Sequence, residues 1–504
     1  ASIYSASGTN PGSLASPRNN LVRSAVSSNP LAPAWLVEPA DANALPAAVW
    51  SHNARRSAGG ELEIAGVSAS ALVADFGTPV YVVDEADARG RARGIRESFD
   101  REFARVGSSA KVYYAGKAFL CTEVARWVTE AGLNIDVASG GEMAVALAAG
   151  VDPARLGLHG NNKSLSEIDR AVGAGVGAIV IDSVVEIERV ATAASRHGRT
   201  QPVRLRINSG VHASTHEYLA TAREDQKFGI PLADAAAAVA LIRAQPSLTF
   251  LGLHSHIGSQ IFESDGFAEA AHRLFALHAE LLKGGPVPEL NLGGGFGIAY
   301  TSVDDPLDID EIARRFADIV SQGAAELGIP VPVVAIEPGR AVIGPSTTTL
   351  YTVGTIKDVL VSVVEPVETG TQAHAEISTS SITGTATRKY VSVDGGMSDN
   401  IRPALYAANY SARLANRTST AAPALVRVAG KHCESGDILV HADYLPGDVE
   451  PGDLLAIPAT GAYGWAMASN YNYLARPPVV AVLDGAARLI VRGETEADLL
   501  SRDV

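Results

Sequence analysis

The chain contains the run Val112-Tyr113-Tyr114-Ala115-Gly116-Lys117-Ala118-Phe119, in which an apolar stretch ends on a lysine. The β-branched and aromatic residues favour a strand, and the glycine after them favours a turn. A second apolar stretch ends at Glu337-Pro338-Gly339-Arg340. In a barrel of alternating strands and helices, the chemistry is carried at the strand ends. The two segments therefore predict an amine and a carboxylate at one barrel mouth.

The barrel is predicted by the alternation of short β-branched runs with alanine-rich helical stretches between about residues 70 and 340. A strand followed by a helix, repeated many times, is typical of a parallel sheet with crossover connections. Nine strands are predicted, beginning near residues 79, 111, 134, 155, 178, 202, 249, 289 and 333. Because a barrel of this kind has eight strands, one of the nine, with the first as the candidate, is expected to belong to a neighbouring domain.

The sequence pattern changes after Arg340, where short valine- and threonine-rich runs alternate with Gly and Pro turns. This pattern predicts an antiparallel β domain over 341–504, interrupted by an exposed insertion at about 361–386 that is rich in Ser, Thr, Glu and Gly. Residues 1–30 are expected to form a disordered tail and residues 31–70 to pack with the β domain. The predicted fold class is α/β, with a (β/α)8 barrel over 71–340 and a second, mainly antiparallel β domain.

Composition excludes several classes of function. A chain of 504 residues that is 47% hydrophobic is long enough for two domains. Its net charge of −14 argues against nucleic acid or an anionic membrane as a partner. No apolar stretch of about 18 residues is present, which argues against a membrane span. The two cysteines, Cys121 and Cys433, give no disulfide framework and favour a cytoplasmic location.

Two apparent motifs are rejected. The segment Gly173–Ala178 fits a relaxed dinucleotide-binding pattern, but it precedes a predicted strand, whereas that fingerprint must follow a strand and open a helix. His254 and His256 resemble a metal-binding pair, but no carboxylate or cysteine accompanies them at ligand spacing. The sequence therefore predicts no metal site.

An amine and a carboxylate at one mouth are the groups that pyridoxal phosphate requires. The lysine binds the aldehyde, and the acid keeps the ring nitrogen protonated so that the ring can accept electrons. The segments His256–Ser259 and Gly293–Gly297 also follow apolar runs, as a single barrel mouth would need. Glycine backbones bind phosphate through N–H groups where no Cβ intervenes. The predicted cofactor is pyridoxal 5'-phosphate.

These segments, with others in the C-terminal half, resemble the diaminopimelate decarboxylase family in sequence and order. The resemblance runs from about residue 30 to the C-terminus, and its departures, the tail and the insertion after Val359, touch no motif. It implies a fold-type III pyridoxal-phosphate enzyme that removes the carboxylate at the D-centre of meso-diaminopimelate, giving L-lysine and CO2 in the last step of lysine biosynthesis. The segments that carry it are 114–118, 254–260, 293–297, 337–340, 399–406, 433–437 and 461–463.

The resemblance also implies roles for individual residues. Lys117 holds the cofactor, His256 lies against the pyridine ring, and Cys433 returns a proton to the carbanion, a task suited to a thiol because it titrates nearer to neutral pH than a hydroxyl. The expected cofactor-binding residues are Lys117, Asp136, His256, Ser259, Gly294, Gly295, Glu337, Gly339, Arg340 and Tyr463. The expected substrate-binding residues are Arg340, Arg402, Tyr406, Glu434 and Tyr463. The resemblance further implies a homodimer with active sites shared across a two-fold interface, in which Cys433 of one chain's β domain joins Lys117 of the other chain's barrel.

Three other functions share some of these features. A sister decarboxylase acting on ornithine, arginine or a carboxylated polyamine would have the same cofactor site, but Arg340 and Glu434 together favour a substrate with a zwitterionic distal end. An alanine-racemase-like enzyme would need a tyrosine base in place of Cys433. A non-catalytic homologue that binds only a partner protein would be expected to lack Lys117 or Cys433, and both are present.

Overall fold

A computed structural model of the chain describes residues 29–208, 227–256, 265–364 and 382–504. The predicted tail (1–30) and the predicted insertion (about 361–386) lie largely outside these ranges, and Ser259 lies outside them as well. Within the described ranges, no helix is both long and apolar enough to span a bilayer.

The strands follow in chain order: β1 (Ala54–Arg56), β2 (Leu62–Ile64), β3 (Val67–Ser68), β4 (Val80–Asp84), β5 (Ala110–Ala115), β6 (Asn134–Val137), β7 (Leu156–Leu158), β8 (Ala178–Ile181), β9 (Gln201–Asn208), β10 (Ile230–Pro231), β11 (Leu248–His254), β12 (Glu289–Asn291), β13 (Val333–Ile336), β14 (Thr347–Val364), β15 (Ile382–Val393), β16 (Arg413–Leu414), β17 (Pro423–Ala429), β18 (Ile438–Pro446), β19 (Leu454–Pro458), β20 (Val479–Leu483) and β21 (Ala486–Val491). The helices are α1 (Ala69–Phe76), α2 (Glu85–Arg105), α3 (Thr122–Glu130), α4 (Gly140–Ala148), α5 (Leu165–Ala174), α6 (Val184–Arg196), α7 (Ala235–Arg243), α8 (Asp265–Leu282), α9 (Ile309–Leu327), α10 (Arg340–Ile343), α11 (Arg402–Tyr406) and α12 (Glu496–Leu500).

Eight of the strands form a closed parallel barrel, as the sequence predicted. Their order around the ring is β5, β6, β7, β8, β9, β11, β12 and β13, and the pairing of β13 with β5 closes it. A strand such as β8 is buried along its whole length, since other strands cover its inner face and helices its outer face. The carboxyl ends of parallel strands lie on one side, so the residues that follow them meet at one mouth.

Strand β4 is the first of the nine predicted strands, and it lies outside the barrel. It pairs antiparallel with β14 and parallel with β20 in the second sheet. The helix that follows it, α2, packs against β5 and α9 and so joins the outer layer of the barrel. Strand β4 therefore belongs to the second sheet, although it lies within the range 71–340 that the sequence assigned to the barrel.

The second sheet has the order β18, β17, β15, β14, β4, β20 and β21, with β19 and β16 attached beside β14. Its pairings are antiparallel except for β15 with β17 and β4 with β20. Trp50 and Leu62, from the N-terminal segment, share an apolar cluster with Val80 and Leu350 of this sheet. The sheet is therefore mainly antiparallel, and the N-terminal segment packs on it.

The rejected dinucleotide pattern has a structural role. Helix α5 ends beside it, and Gly175 takes the left-handed conformation at the end of that helix, with φ of 81°. The chain then enters β8. This order confirms that the segment is a helix end before a strand and not a phosphate-binding turn after one.

Candidate active site

A cavity opens at the carboxyl ends of the barrel strands, where it is lined by Ala115, Lys117, His256, Gly295, Phe296, Glu337, Gly339, Arg340 and Tyr463. Lys117 enters it from a single helical turn, Gly116–Ala118, directly after β5. Its amine makes no hydrogen bond or ion pair with any described residue. The second domain contributes Tyr463, whose backbone N–H donates to the carbonyl of Ala118 at 2.9 Å. The lysine turn is thus held between barrel and β domain.

The carboxylate of Glu337, directly after β13, is buried among polar groups from three other strand ends. Its Oε1 lies 2.9 Å from Nε2 of His254 and 3.5 Å from Nε2 of His159, and it accepts a hydrogen bond of 2.8 Å from Nδ2 of Asn291. Burial alone would raise the pKa of Glu337, but the interactions with His254 and His159 outweigh it and hold the pKa well below its usual range. Glu337 is therefore ionised at neutral pH.

Asp136, at the end of β6, has a pKa shifted in the opposite direction from that of Glu337. Burial and then the negative charge of Glu337 raise its pKa well above the ordinary value. Nε2 of His159 lies 3.1 Å from Oδ1 of Asp136, so the imidazole stands between the two carboxyl groups. Burial lowers the pKa of His159 to about 4, which keeps its ring neutral. The pocket therefore raises the pKa of Asp136 and lowers that of Glu337. Neighbouring acids with pKa values shifted in opposite directions are typical of functional sites.

His256 and the glycine loop after β12 form the opposite wall. Burial, followed by the charge of Lys117, lowers the pKa of His256 to about 3, so its ring is neutral. The backbone N–H of Gly294 points at its Nδ1, at 3.4 Å. Gly293 and Gly295 have φ of 71° and 106°, in the region that favours glycine. A Cβ on Gly294 would collide with the backbone carbonyl of Glu337. The loop therefore requires glycine at these positions.

These residues fit pyridoxal phosphate. The Lys117 amine is available for the aldehyde, ionised Glu337 can hold a protonated ring nitrogen, and the neutral ring of His256 can lie against the pyridine face. Gly295 and Gly339 line the cavity, and backbones that lack a Cβ can offer N–H groups to a phosphate there. Ser259, predicted to assist there, lies outside the described residues.

Two arginines flank Tyr300, and one of them, Arg340, lines the cavity. The guanidinium of Arg340 hydrogen-bonds to the hydroxyl of Tyr300 and lies 4.9 Å from the ring centroid of Tyr463. The guanidinium of Arg402 lies 4.5 Å from the ring centroid of Tyr300 and donates to the hydroxyl of Tyr410 at 2.6 Å. Both arginines are largely buried, and Tyr300 links them. Such a pair can hold a carboxylate by charge-assisted hydrogen bonds.

The remaining predicted residues lie on the surface of the β domain. The side chain of Tyr406 is exposed, and it follows Leu405, another exposed apolar residue. Cys433 and Glu434 are exposed too. None of these three predicted residues lines the cavity around Lys117. Within one chain, the structure brings the described residues that were predicted to bind the cofactor to one barrel mouth, but leaves the predicted proton donor outside the cavity.

A carboxylate lies beside His254 in the folded chain, although sequence spacing gave no sign of it. This carboxylate is that of Glu337. Ligand atoms of His159, His254 and Glu337 all lie within 4.8 Å of one another. The same arrangement keeps Glu337 ionised, the state needed to bind a protonated ring nitrogen.

Sequence reasoning missed several residues of this pocket, namely His159, Asn291, Tyr300 and Tyr410. Asn291 had the clearest available signal, because it ends β12 two residues before the glycine loop. Its Oδ1 accepts from the N–H of Gly293 at 2.8 Å while its Nδ2 donates to Glu337. The ion pair of Arg204 with Glu289, 2.7 Å apart inside the barrel, was also not foreseen.

Fold and site together define a pyridoxal-phosphate-dependent decarboxylase built on a parallel barrel, and residues 92–344 match the family model described as "Pyridoxal-dependent decarboxylase, pyridoxal binding domain". The chain belongs to the diaminopimelate decarboxylase family. It is 49% identical over 464 residues to the diaminopimelate decarboxylase of Mycobacterium tuberculosis, covering 90% of this chain and 98% of that protein. The Bacillus subtilis enzyme of the same name is 42% identical, with 89% and 97% covered. A crystal structure of diaminopimelate decarboxylase from M. jannaschii in co-complex with L-lysine superposes with a TM-score of 0.78 at 29% identity, covering 90% of this chain and 98% of that one.

Proposed function

We propose that this chain decarboxylates meso-diaminopimelate at its D-centre, releasing CO2 and L-lysine. The observation that carries the proposal is the convergence of the Lys117 amine and the ionised Glu337 carboxylate on one cavity. Bound pyridoxal phosphate supplies an electron sink for the pair of electrons left when CO2 departs. The two free cysteines, buried Cys121 and exposed Cys433, support a reducing, cytoplasmic setting.

Each residue of the cavity has a task that its environment supports. Lys117 would bind the cofactor covalently, and Glu337, ionised because its pKa is low, would keep a proton on the ring nitrogen. His256 would support the ring as a neutral group, and glycine backbones would bind the phosphate. Asp136 orients His159, which in turn contacts Glu337. None of these residues needs to move a proton to the substrate carbon, so that task falls to another group.

Recognition of the distal end is the basis of specificity. Arg340 and Arg402 are largely buried and are linked through Tyr300. A substrate carboxylate placed between them would gain charge-assisted hydrogen bonds, whereas a substrate that lacks it would leave buried donors without that partner. Tyr406 and Glu434, which do not line the cavity of their own chain, complete the distal site across the two-fold interface, with Glu434 receiving the ammonium group.

The proton donor is Cys433, contributed by the partner subunit of a two-fold dimer. Support comes from the exposure of the Cys433 thiol in one chain. Leu405 and Tyr406 are exposed as well, and 59% of Tyr406 is accessible to solvent. Exposed apolar groups on the same domain favour burial against another chain. In a two-fold dimer, each barrel mouth faces the β domain of the other subunit, so both sites are complete.

The proposal is tested by following CO2 release from the cofactor-loaded protein with a panel of amino acids. Release from meso-diaminopimelate is expected, with little or none from L-lysine, L-ornithine or L-arginine. A site built to bind a polar group rejects an analogue that lacks it by orders of magnitude. Comparable release from L-ornithine would replace this proposal with a decarboxylase for basic amino acids. The LL stereoisomer of diaminopimelate is the matched control, since it lacks the D-centre.

A further inference from the structure

Asn472, which has no role in the resemblance, occupies a strained position beside Cys433. Its φ of 51° lies in the left-handed region, and the next residue, Tyr473, has φ of 57°. Two successive residues other than glycine in this region are uncommon, and asparagine is among the few that tolerate it. Such backbone strain persists only where surrounding contacts determine it, and it clusters at functional sites.

The side chain of Asn472 is fixed by two donors from the loop that carries the thiol. The backbone N–H of Cys433 donates to its Oδ1 at 3.2 Å. Nδ1 of His432 lies 3.3 Å from the same oxygen. A single amide oxygen therefore holds the residue that bears the thiol and the residue before it.

These contacts also orient the His432 ring. Its Nδ1 faces the Asn472 oxygen, which can only accept, so Nδ1 is the donor in that contact. The backbone N–H of Ser398 donates to Nε2 at 3.3 Å, and Oγ of Ser398 lies 2.8 Å from the same nitrogen. The ring connects the thiol loop to the turn that precedes Arg402.

His432 has little freedom to move. It is 7% exposed and stacks on the ring of Tyr471 with centroids 5.3 Å apart. Asp437 closes the loop, since its two carboxylate oxygens accept from the N–H groups of His432 at 2.8 Å and Met397 at 2.6 Å. The Cys433 loop therefore has a single well-defined geometry although the thiol itself is exposed.

We propose that Asn472 is a positioning residue that sets the direction of the Cys433 side chain through the Cys433 N–H and through His432. The inference rests on the proposed role of Cys433 as the proton donor. The Cys433 thiol must deliver a proton to a substrate carbon in the partner's barrel. The backbone that carries the thiol must therefore be held in place beforehand, because a misplacement of about 1 Å can lower the rate about 100-fold. Asn472 supplies this constraint from a loop 39 positions further along the same chain.

The test uses two substitutions that keep the left-handed backbone. Asn472→Gly removes the acceptor, and Asn472→Asp keeps it. We expect Asn472→Gly to lower kcat about tenfold or more with KM within about twofold, and Asn472→Asp to restore most of the rate. Hydrogen exchange of the Cys433 amide, followed by mass spectrometry in the resting enzyme, should accelerate about tenfold in Asn472→Gly and remain slow in Asn472→Asp. Asp484→Gly, at another left-handed position with φ of 48°, is the control and should change neither quantity.

A double substitution separates this inference from the proposed role of Cys433. In a Cys433→Ala background, Asn472→Gly should cause no further loss, because both changes act through the same thiol. An additive loss, or unchanged amide exchange in Asn472→Gly, would overturn the positioning role. If Cys433→Ala alone kept full activity, the proton-donor assignment would fail, while amide exchange would still show whether Asn472 fixes the loop.

Discussion

Nε2 of His254, at the end of β11, lies 2.9 Å from Oε1 of Glu337, directly after β13. The contact joins two strand ends that β12 separates around the barrel, and it helps to keep the carboxylate ionised. Glu337→Gln keeps the shape of the side chain but removes its charge. We expect kcat to fall at least about 100-fold, because a neutral amide cannot hold the ring-nitrogen proton.

The measurement for Glu337→Gln is CO2 release together with cofactor absorbance, so that loss of chemistry is separated from loss of cofactor. The control is Glu326→Gln, which removes an exposed carboxylate from α9. A Glu337→Gln variant with full cofactor content and wild-type kcat would contradict the assignment.

Lys117 is expected to be the attachment point of the cofactor. Borohydride reduction of the yellow protein should fix pyridoxal phosphate onto Lys117, and peptide mass spectrometry identifies the modified residue. Lys117→Ala should abolish both fixation and turnover, whereas Lys283→Ala, an exposed lysine after α8, should leave both unchanged. Modification of Lys163 is not expected, since its amine is buried and donates to Glu186 at 2.8 Å. Label on Lys163 or Lys227 would refute the site.

Arg402 is expected to bind the distal carboxylate. Arg402→Lys retains the charge but loses the fork of N–H donors that reaches Tyr410 and the substrate together. We expect kcat/KM for meso-diaminopimelate to fall about 100-fold, mostly through KM, since the lost contacts are made to a part of the substrate that does not react. Steady-state kinetics with Arg427→Lys, in the β domain, provide the control. Equal kinetic constants in the wild type and Arg402→Lys would exclude Arg402 from the substrate site.

The shared-site dimer makes a prediction about mixtures. Lys117→Ala and Cys433→Ala chains are each expected to retain at most a small residual activity, which in Cys433→Ala is the rate that remains without the thiol as proton donor. In a heterodimer, one composite site receives both intact residues and the other receives neither, so up to about half of its sites should recover. Subunits are exchanged under mild denaturation, heterodimers are isolated with two affinity tags, and activity is measured. Isolated heterodimers without activity would show that Cys433 acts within its own chain or not at all.

Acid should destabilise the protein through a histidine remote from the reaction. Burial lowers the pKa of His278 on α8 to about 4, below its ordinary value of 6.5. Between these values the unfolded chain binds more protons than the folded one, so the free energy of unfolding falls as pH falls, by up to about 1.4 kcal/mol per pH unit. His278→Leu should flatten this dependence between pH 6.5 and 4 and leave stability above pH 6.5 nearly unchanged or higher.

Urea denaturation at several pH values measures the effect of His278→Leu. The pKa values of His159 and His256 are also lowered, but both residues are present in the wild type and in the variant. The difference between the two curves of unfolding free energy against pH therefore reports on His278 alone. Parallel curves for the wild type and the variant would show that His278 does not carry this dependence.

The sequence by itself determined the barrel, the second β domain and most of the cofactor pocket. Short apolar runs alternating with helical stretches specify a parallel sheet wherever they occur, because each run can be buried only between covered faces. Lys117 and Glu337 could be found because each ends such a run, and strand ends of a barrel meet at one mouth. The glycine loop was readable for a similar reason, since glycine next to a strand end permits close backbone approach.

The tertiary structure alone decided which groups surround those residues. His254 was considered only as a metal ligand, and His159 was not considered, because their contact with Glu337 depends on strand register around a closed ring, which leaves no periodic signal in the chain. The hydrogen bond from the Cys433 N–H to Asn472 likewise joins two segments that are distant in sequence. The exposure of Cys433 also depends on how the chain folds around it. The local sequence pattern determines where strands and helices begin and end. The packing of those elements determines which polar side chains come into contact, and these contacts set the pKa of each group and hence its charge.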